Sequence, residues 1–251
     1  MKYLKVLACK VMFRELSYLA ALSDNVCDIT WLNWGLHNEI GAINKVLTDH
    51  VAALDAHADI HTTFPPYGGD FDAVLIGYGL CSNGIVGLRS QRYTLVIPRA
   101  HDCITLFLGS KERYQQVFAE AGGTYFYTPG WIENSAIISE RRREYKLAEY
   151  GKQFGEEAAE DILEMYDEWV AHYSRLGLVS WQEFAEREFA VRTADEARSG
   201  AEYAGWEVEH LRGDSSLLSD FIAGNWDNER FLVVPPGETV RATYGPDIIG
   251  Y

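Results

Sequence analysis

Of the four cysteines in this 251-residue chain, three close strand-like segments: Cys9 ends KYLKVLAC, Cys81 follows AVLIGYGL and Cys103 follows LVIPRAHD. In a parallel α/β sheet the C-terminal strand ends share one edge, and ligands bind along it. His101 stands beside Cys103 and adds an imidazole. Thiolates are soft anionic donors and imidazole is a borderline one, so the set suits zinc or an iron–sulfur cluster. A lone cysteine is more often a small buried residue than a ligand. Three thiols and an imidazole converging on one sheet edge reverse that expectation, and Cys9, Cys81, His101 and Cys103 are read as a metal site. Cys27 enters its strand from the opposite end and is expected in the core.

The residues around these four supply the rest of the expected chemistry. Segment 77–87, GYGLCSNGIVG, is a glycine-rich loop after a strand, but Ser82 stands at the sixth position of the G-x-G-x-x-G pattern and no P-loop lysine follows. Its glycines instead let the backbone approach a ligand closely, so Gly79, Ser82 and Asn83 are expected to line the cofactor. Asp102 and Glu133 are candidate carboxylates for orienting His101 or moving a proton, since a ligating histidine usually donates its other nitrogen to such a group. Trp131, in TPGWIE, offers an aromatic wall. His37 follows the second strand and either completes the site or caps the next helix. His50, His57 and His61 fall on or just after that helix and are expected to face solvent.

Positioning these residues requires strands that all point the same way. Residues 2–9, 26–33, 71–80, 93–100, 206–214 and 230–238 have strand character, and GGTYFYTPGW gives a further strand or extended segment. Between the first strands lie helical patterns, one with Ile40, Ile43, Val46, Leu47, Val51 and Leu54 on a common face. Such alternation predicts an α/β fold, a doubly wound and mostly parallel Rossmann-like sheet, in a single domain over 1–251. A helix should start just after Cys103, with Gly109-Ser110 able to divide it. Residues 136–204, rich in Glu, Ala, Arg, Tyr and Trp, read as a helical insertion of two or three long helices over the site.

The formal charge of −15 and pI near 4.8 exclude nonspecific nucleic-acid binding, which needs clustered Lys and Arg. No apolar run approaches the ~20 residues that cross a bilayer. No signal-peptide pattern opens the chain, so a cytoplasmic location is expected, with no membrane partner. In a reducing compartment the cysteines serve metal or catalysis rather than disulfides.

The segments ACKVMFREL (8–16), GYGLCSNGIVGL (77–88), PRAHDCITLFLGS (98–110), TPGWIE (128–133) and FLVVPPGE (231–238) resemble the DUF1638 family, a domain of unknown function. The resemblance runs over nearly the whole chain, and the family pattern places its motif cysteines and histidine at Cys9, Cys81, His101 and Cys103. Lys10 stands where that pattern has an acidic residue. Members occur mainly in anaerobic bacteria and methanogenic archaea beside corrinoid proteins and methylamine-type methyltransferases. The resemblance therefore implies a metal protein of corrinoid-dependent one-carbon metabolism. Zinc-thiolate methyl transfer, with a corrinoid protein or methyltransferase as partner, is the first expectation. An iron–sulfur protein for electron transfer or corrinoid reactivation is the second, and a non-enzymatic module that binds a corrinoid protein is the third.

Overall fold

The computed structural model describes residues 1–251 apart from 40, 121, 244 and 246. Ile40, expected on a helix face, thus lies outside the described residues. In chain order the elements are β1 (Tyr3–Cys9), α1 (Phe13–Leu22), β2 (Val26–Leu32), α2 (Ala42–Asp55), β3 (Ala73–Gly77), β4 (Leu95–Pro98), α3 (Cys103–Leu108) and α4 (Lys111–Glu120). There follow β5 (Thr124–Tyr127), α5 (Pro129–Asn134), α6 (Glu140–Phe154), α7 (Glu156–Asp167), β6 (Arg175–Ser180), α8 (Glu188–Ala204) and β7 (Glu207–Arg212). The chain ends with α9 (Ser216–Ala223), β8 (Phe231–Val234), β9 (Arg241–Ala242) and β10 (Ile249–Gly250).

These elements form two compact units, Met1–Gln115 with Asp214–Tyr251, and Gln116–Gly213. The first is built on a five-stranded sheet of order β2-β1-β3-β4-β8, parallel except for β8, which runs antiparallel to β4. This is the mostly parallel, Rossmann-like α/β arrangement that the strand and helix alternation predicts. β1, β3 and β4 are buried almost throughout, as strands covered on both faces must be. α2 buries Ile43, Leu47, Val51 and Leu54, the 3.6-residue stripe expected of it. Each such leucine contributes about 1.5–3 kcal/mol by leaving water. Gly41 takes a left-handed φ of 80° at the N-cap of this helix.

The second unit corrects the sequence reading. Residues 136–204 are not purely helical: β6 lies among them, and it pairs in parallel with β5 and β7 in a separate three-stranded sheet. The expected strand segments GGTYFYTPGW and 206–214 supply β5 and β7 of that sheet and do not join the first. RLGLVS is too short for its period to stand out between long charged helices, which is why it reads as part of them. Tyr127, Ile132, Leu176, Leu178, Ala197 and Trp206 share this unit's own core. The insertion therefore starts before 136 and extends past 204, from Gln116 to Gly213.

Candidate functional site

Register brings the thiols together. Ala8 of β1 lies opposite Gly77 of β3, so Cys9 and Tyr78, one residue further on, project from the same face of adjacent strands. Beyond the strand ends the ladder between β3 and β4 continues in a looser form: the Leu80 N–H donates to the Ala100 carbonyl at 2.8 Å and the Cys81 N–H to the His101 carbonyl at 2.9 Å. This pairing requires Gly79, because a Cβ there would sit 2.8 Å from the Asp102 nitrogen and 2.9 Å from the Ala100 oxygen. Cys81 is thereby laid beside the segment that carries Cys103, the first residue of α3.

After this contact the chain does something unusual. Cys81, Ser82 and Asn83 have φ of 42°, 56° and 65°, three successive non-glycine residues in the left-handed region. The Gly84 N–H closes the turn on the Leu80 carbonyl at 2.9 Å. Left-handed backbone costs roughly 1–2 kcal/mol per residue of this kind, and such strain persists only where the surroundings impose it. Here the imposed result is a fixed direction for the Cys81 side chain, with Ser82 and Asn83 exposed beside it.

The three thiols sense one another. Burial pushes the Cys81 thiol up to about 12, with Asp102 and Cys9 adding to the effect. Burial likewise raises Cys103 well above an ordinary thiol, with Cys81, Asp102 and Cys9 contributing. Cys9 is raised by burial, partly offset by the Val11 backbone and by the Tyr78 hydroxyl, both of which would stabilise its thiolate. Part of Cys81 and of Cys103 still reaches the surface, so the desolvation comes from protein packed around their sulfurs. Tyr78, 4% exposed, is raised far above a free phenol by burial and then by Cys9, Cys81 and Cys103. Its hydroxyl is fully buried and makes no hydrogen bond of standard geometry, with the Cys9 thiol the neighbour toward which it would donate once that sulfur ionises. Nothing in the sequence singles out Tyr78, since an aromatic residue after an apolar strand reads as core.

The other expected site residues divide between the units. His101 is exposed beside Cys103. Asp102 caps α3, its Oδ1 accepting from the Thr105 N–H at 3.1 Å and the Thr105 hydroxyl at 3.3 Å. Cys27 is half-buried at the start of β2, on the sheet face opposite Cys9, and burial raises it to about 11. His37 lies in the short helical turn after β2, edge-on to Trp34 at 5.9 Å, and burial lowers its pKa. Trp131 and Glu133 lie on α5 in the second unit, where Trp131 packs on Tyr127 and Glu133 meets Arg192 at 3.1 Å. Among the described residues no three His, Cys, Asp or Glu side chains stand ready arranged around a metal ion.

A soft donor set of three thiols around an orphaned buried hydroxyl fits a thiophilic metal chemically. Occupation would require the sulfurs to turn toward a common point and shed their protons. No helix among the described residues is long and apolar enough to cross a membrane. No curated protein and no solved structure matches the chain. One family model does, over residues 31–222, with the description "protein of unknown function (DUF1638)". That match covers well over half of the chain, which therefore belongs to the DUF1638 family.

Proposed function

We propose that Cys9, Cys81 and Cys103 bind a thiophilic metal, with zinc the simplest occupant and His101 either a fourth ligand or a neighbour of the site. The observation that carries this reading is the Tyr78 hydroxyl, buried without a partner among three thiols. A buried polar group left unpaired costs about 1–3 kcal/mol. A thiolate ligand would accept its hydrogen bond and remove that cost.

The thiol pKa values argue against the simplest competing chemistry. A cysteine that acts alone as a nucleophile sits where its thiolate is favoured. Here burial drives Cys81 and Cys103 the other way. They become anionic at neutral pH only if a cation compensates them, and a bound metal supplies that cation. Zinc held by thiolates would bind and activate a substrate thiol. In this reading Tyr78 holds a ligand sulfur in orientation and the left-handed turn fixes Cys81. Exposed Ser82, Asn83 and His101 face the incoming substrate.

Methyl transfer to such a thiol, in corrinoid-dependent metabolism and with a corrinoid protein as partner, is the reaction we assign to it. The support for that assignment is the genomic setting of the family. The test is anaerobic purification followed by metal and acid-labile sulfide analysis. Stoichiometric zinc in a colourless protein supports the reading. Iron and sulfide in a brown protein would replace zinc with an iron–sulfur cluster on the same thiols, and a protein with neither would overturn the metal site.

A further inference from the structure

The first unit gathers a second group of titratable side chains beside β2, the edge strand of its sheet. His50 on α2 and His61 beyond its end line a cavity of about 480 Å³ together with Thr30, Trp31, Asn33 and Leu36. His50 is not a solvent-facing residue, as its place in the helical pattern implies; its side chain is 18% exposed. Its Nδ1 lies 3.2 Å from Oδ2 of Asp59, while Oδ1 of the same carboxylate accepts the His61 N–H at 2.9 Å.

Asp59 is 7% exposed. Burial alone would raise its carboxyl, but the His61 amide, the His50 ring and the Lys5 charge together hold it below the usual value. It is therefore an anion at neutral pH, and the His50 proton belongs on Nδ1, facing it. That leaves Nε2 with its lone pair. The His61 ring centre is 6.0 Å from that of His50, with the planes inclined at 57°. Lys5, the cation that acts on Asp59, is fully buried and already engaged by Asp28 at 3.2 Å and the Thr30 hydroxyl at 2.7 Å. Lys5 thus faces two carboxylates, Asp28 and Asp59, and the surroundings favour an added cation.

We propose that this cavity binds a borderline divalent metal of the zinc, cobalt and nickel class through His50 and His61, with water in the remaining positions. Imidazole is the donor such ions prefer outside thiolate sites. A histidine whose second nitrogen is held by a buried carboxylate is the usual form of a ligating histidine, because the carboxylate fixes the tautomer and raises the basicity of the other nitrogen. One ion held by both rings would require the exposed His61 ring to turn toward His50. Two protein ligands leave several positions open, and the cavity gives room for a small anionic or neutral ligand held through the metal. The site shares no ligand with the thiols, although Leu32, which also lines the cavity, pairs with Cys9 in the sheet.

Cobalt(II) titration of the whole chain under anaerobic conditions tests it, because thiolate ligands give intense near-ultraviolet charge-transfer bands that imidazole and water do not. The expected result is a second class of bound cobalt with weak visible bands and no thiolate signature. His50→Gln and His61→Gln should each abolish that class and leave the thiolate bands in place. Asp59→Asn should weaken it about 10- to 100-fold, and His57→Gln, whose ring stacks on Phe64 at 4.5 Å, should not change it. Should a variant fail to fold, the wild type still decides: cobalt must broaden the His50 and His61 ring proton resonances ahead of those of His57. Absence of the second class in the wild type, its survival in both glutamine variants, or no selective broadening would overturn the site. Loss of the thiolate bands with the second class intact would instead remove only the thiol reading.

Discussion

Tyr78 carries a buried hydroxyl without a hydrogen bond of standard geometry, and this makes its replacement a test of the proposed metal site in two opposite directions. Tyr78→Phe removes a buried unpaired group, so the metal-free variant should be more stable than wild type by about 1 kcal/mol, read from urea midpoints. The same variant should lose metal affinity by about tenfold or more, because a hydrogen bond to a charged sulfur is worth roughly 1.5–3 kcal/mol. A drop in both quantities would mean that Tyr78 is merely a packed ring. Cys81→Ser and Cys103→Ser should each abolish stoichiometric metal, since a serine hydroxyl stays protonated and is a hard, weak ligand. Cys27→Ser, on the other sheet face, should retain it. That Cys9, Cys81 and Cys103 come together was legible in the sequence, because alternation of strands and helices implies a common C-terminal edge. Tyr78 and the His50–Asp59 pair were not. Their meaning lies in which polar group they meet or fail to meet, and Asp59 reaches His50 only after the chain has turned back from the end of α2.

At the scale of elements, the loop after β3 concentrates the constraints. Gly79 allows two backbones to touch, and the left-handed turn at 81–83 follows immediately. Gly79→Ala should force the 78–81 and 100–102 segments apart, costing on the order of 1–3 kcal/mol as overpacking does. Metal affinity should fall with it, although no ligand is altered; unchanged affinity in a folded variant would separate the loop from the site. The division of the helix after Cys103 into α3 and α4 was legible at Gly109-Ser110, where Gly109 adopts a φ of 86°. Sheet membership was not legible for β5, β6 and β7. Periodicity announces a strand but not its neighbour, and strand pairing is decided by contacts between segments far apart in sequence.

For the molecule as a whole, the buried thiols set an alkaline limit. In the unfolded chain a cysteine loses its proton near pH 8.5, whereas in the folded chain Cys27 holds it to about 11 and Cys81 to about 12. The folded form binds more protons in that interval, so stability is fully present below about pH 8.5 and declines above it, by up to roughly 1.4 kcal/mol per pH unit for each thiol. Urea midpoints of the metal-free protein should fall between pH 8 and pH 11, and Cys81→Ala should flatten the fall; a flat wild-type profile would contradict the burial. The second unit, with its own sheet and core, should unfold cooperatively when residues 116–213 are produced alone, as followed by circular dichroism.

The antiparallel strand β8, which follows the second unit in the sequence, completes the first sheet by pairing Phe231 with Pro98 and Val234 with Leu95. A ribosome therefore delivers β4 long before its neighbour exists. During that interval β4 presents a bare, apolar hydrogen-bonding edge, the kind that recruits strands from other chains. Folding of residues 116–213 in the meantime replaces a long flexible loop with a compact body and so lowers the entropy that β8 must overcome to reach its place. On this topology, slow translation through the second unit protects the nascent chain only if that unit folds promptly. Mutations confined to its core should then appear as aggregation of the first unit during synthesis, even where the finished protein tolerates them.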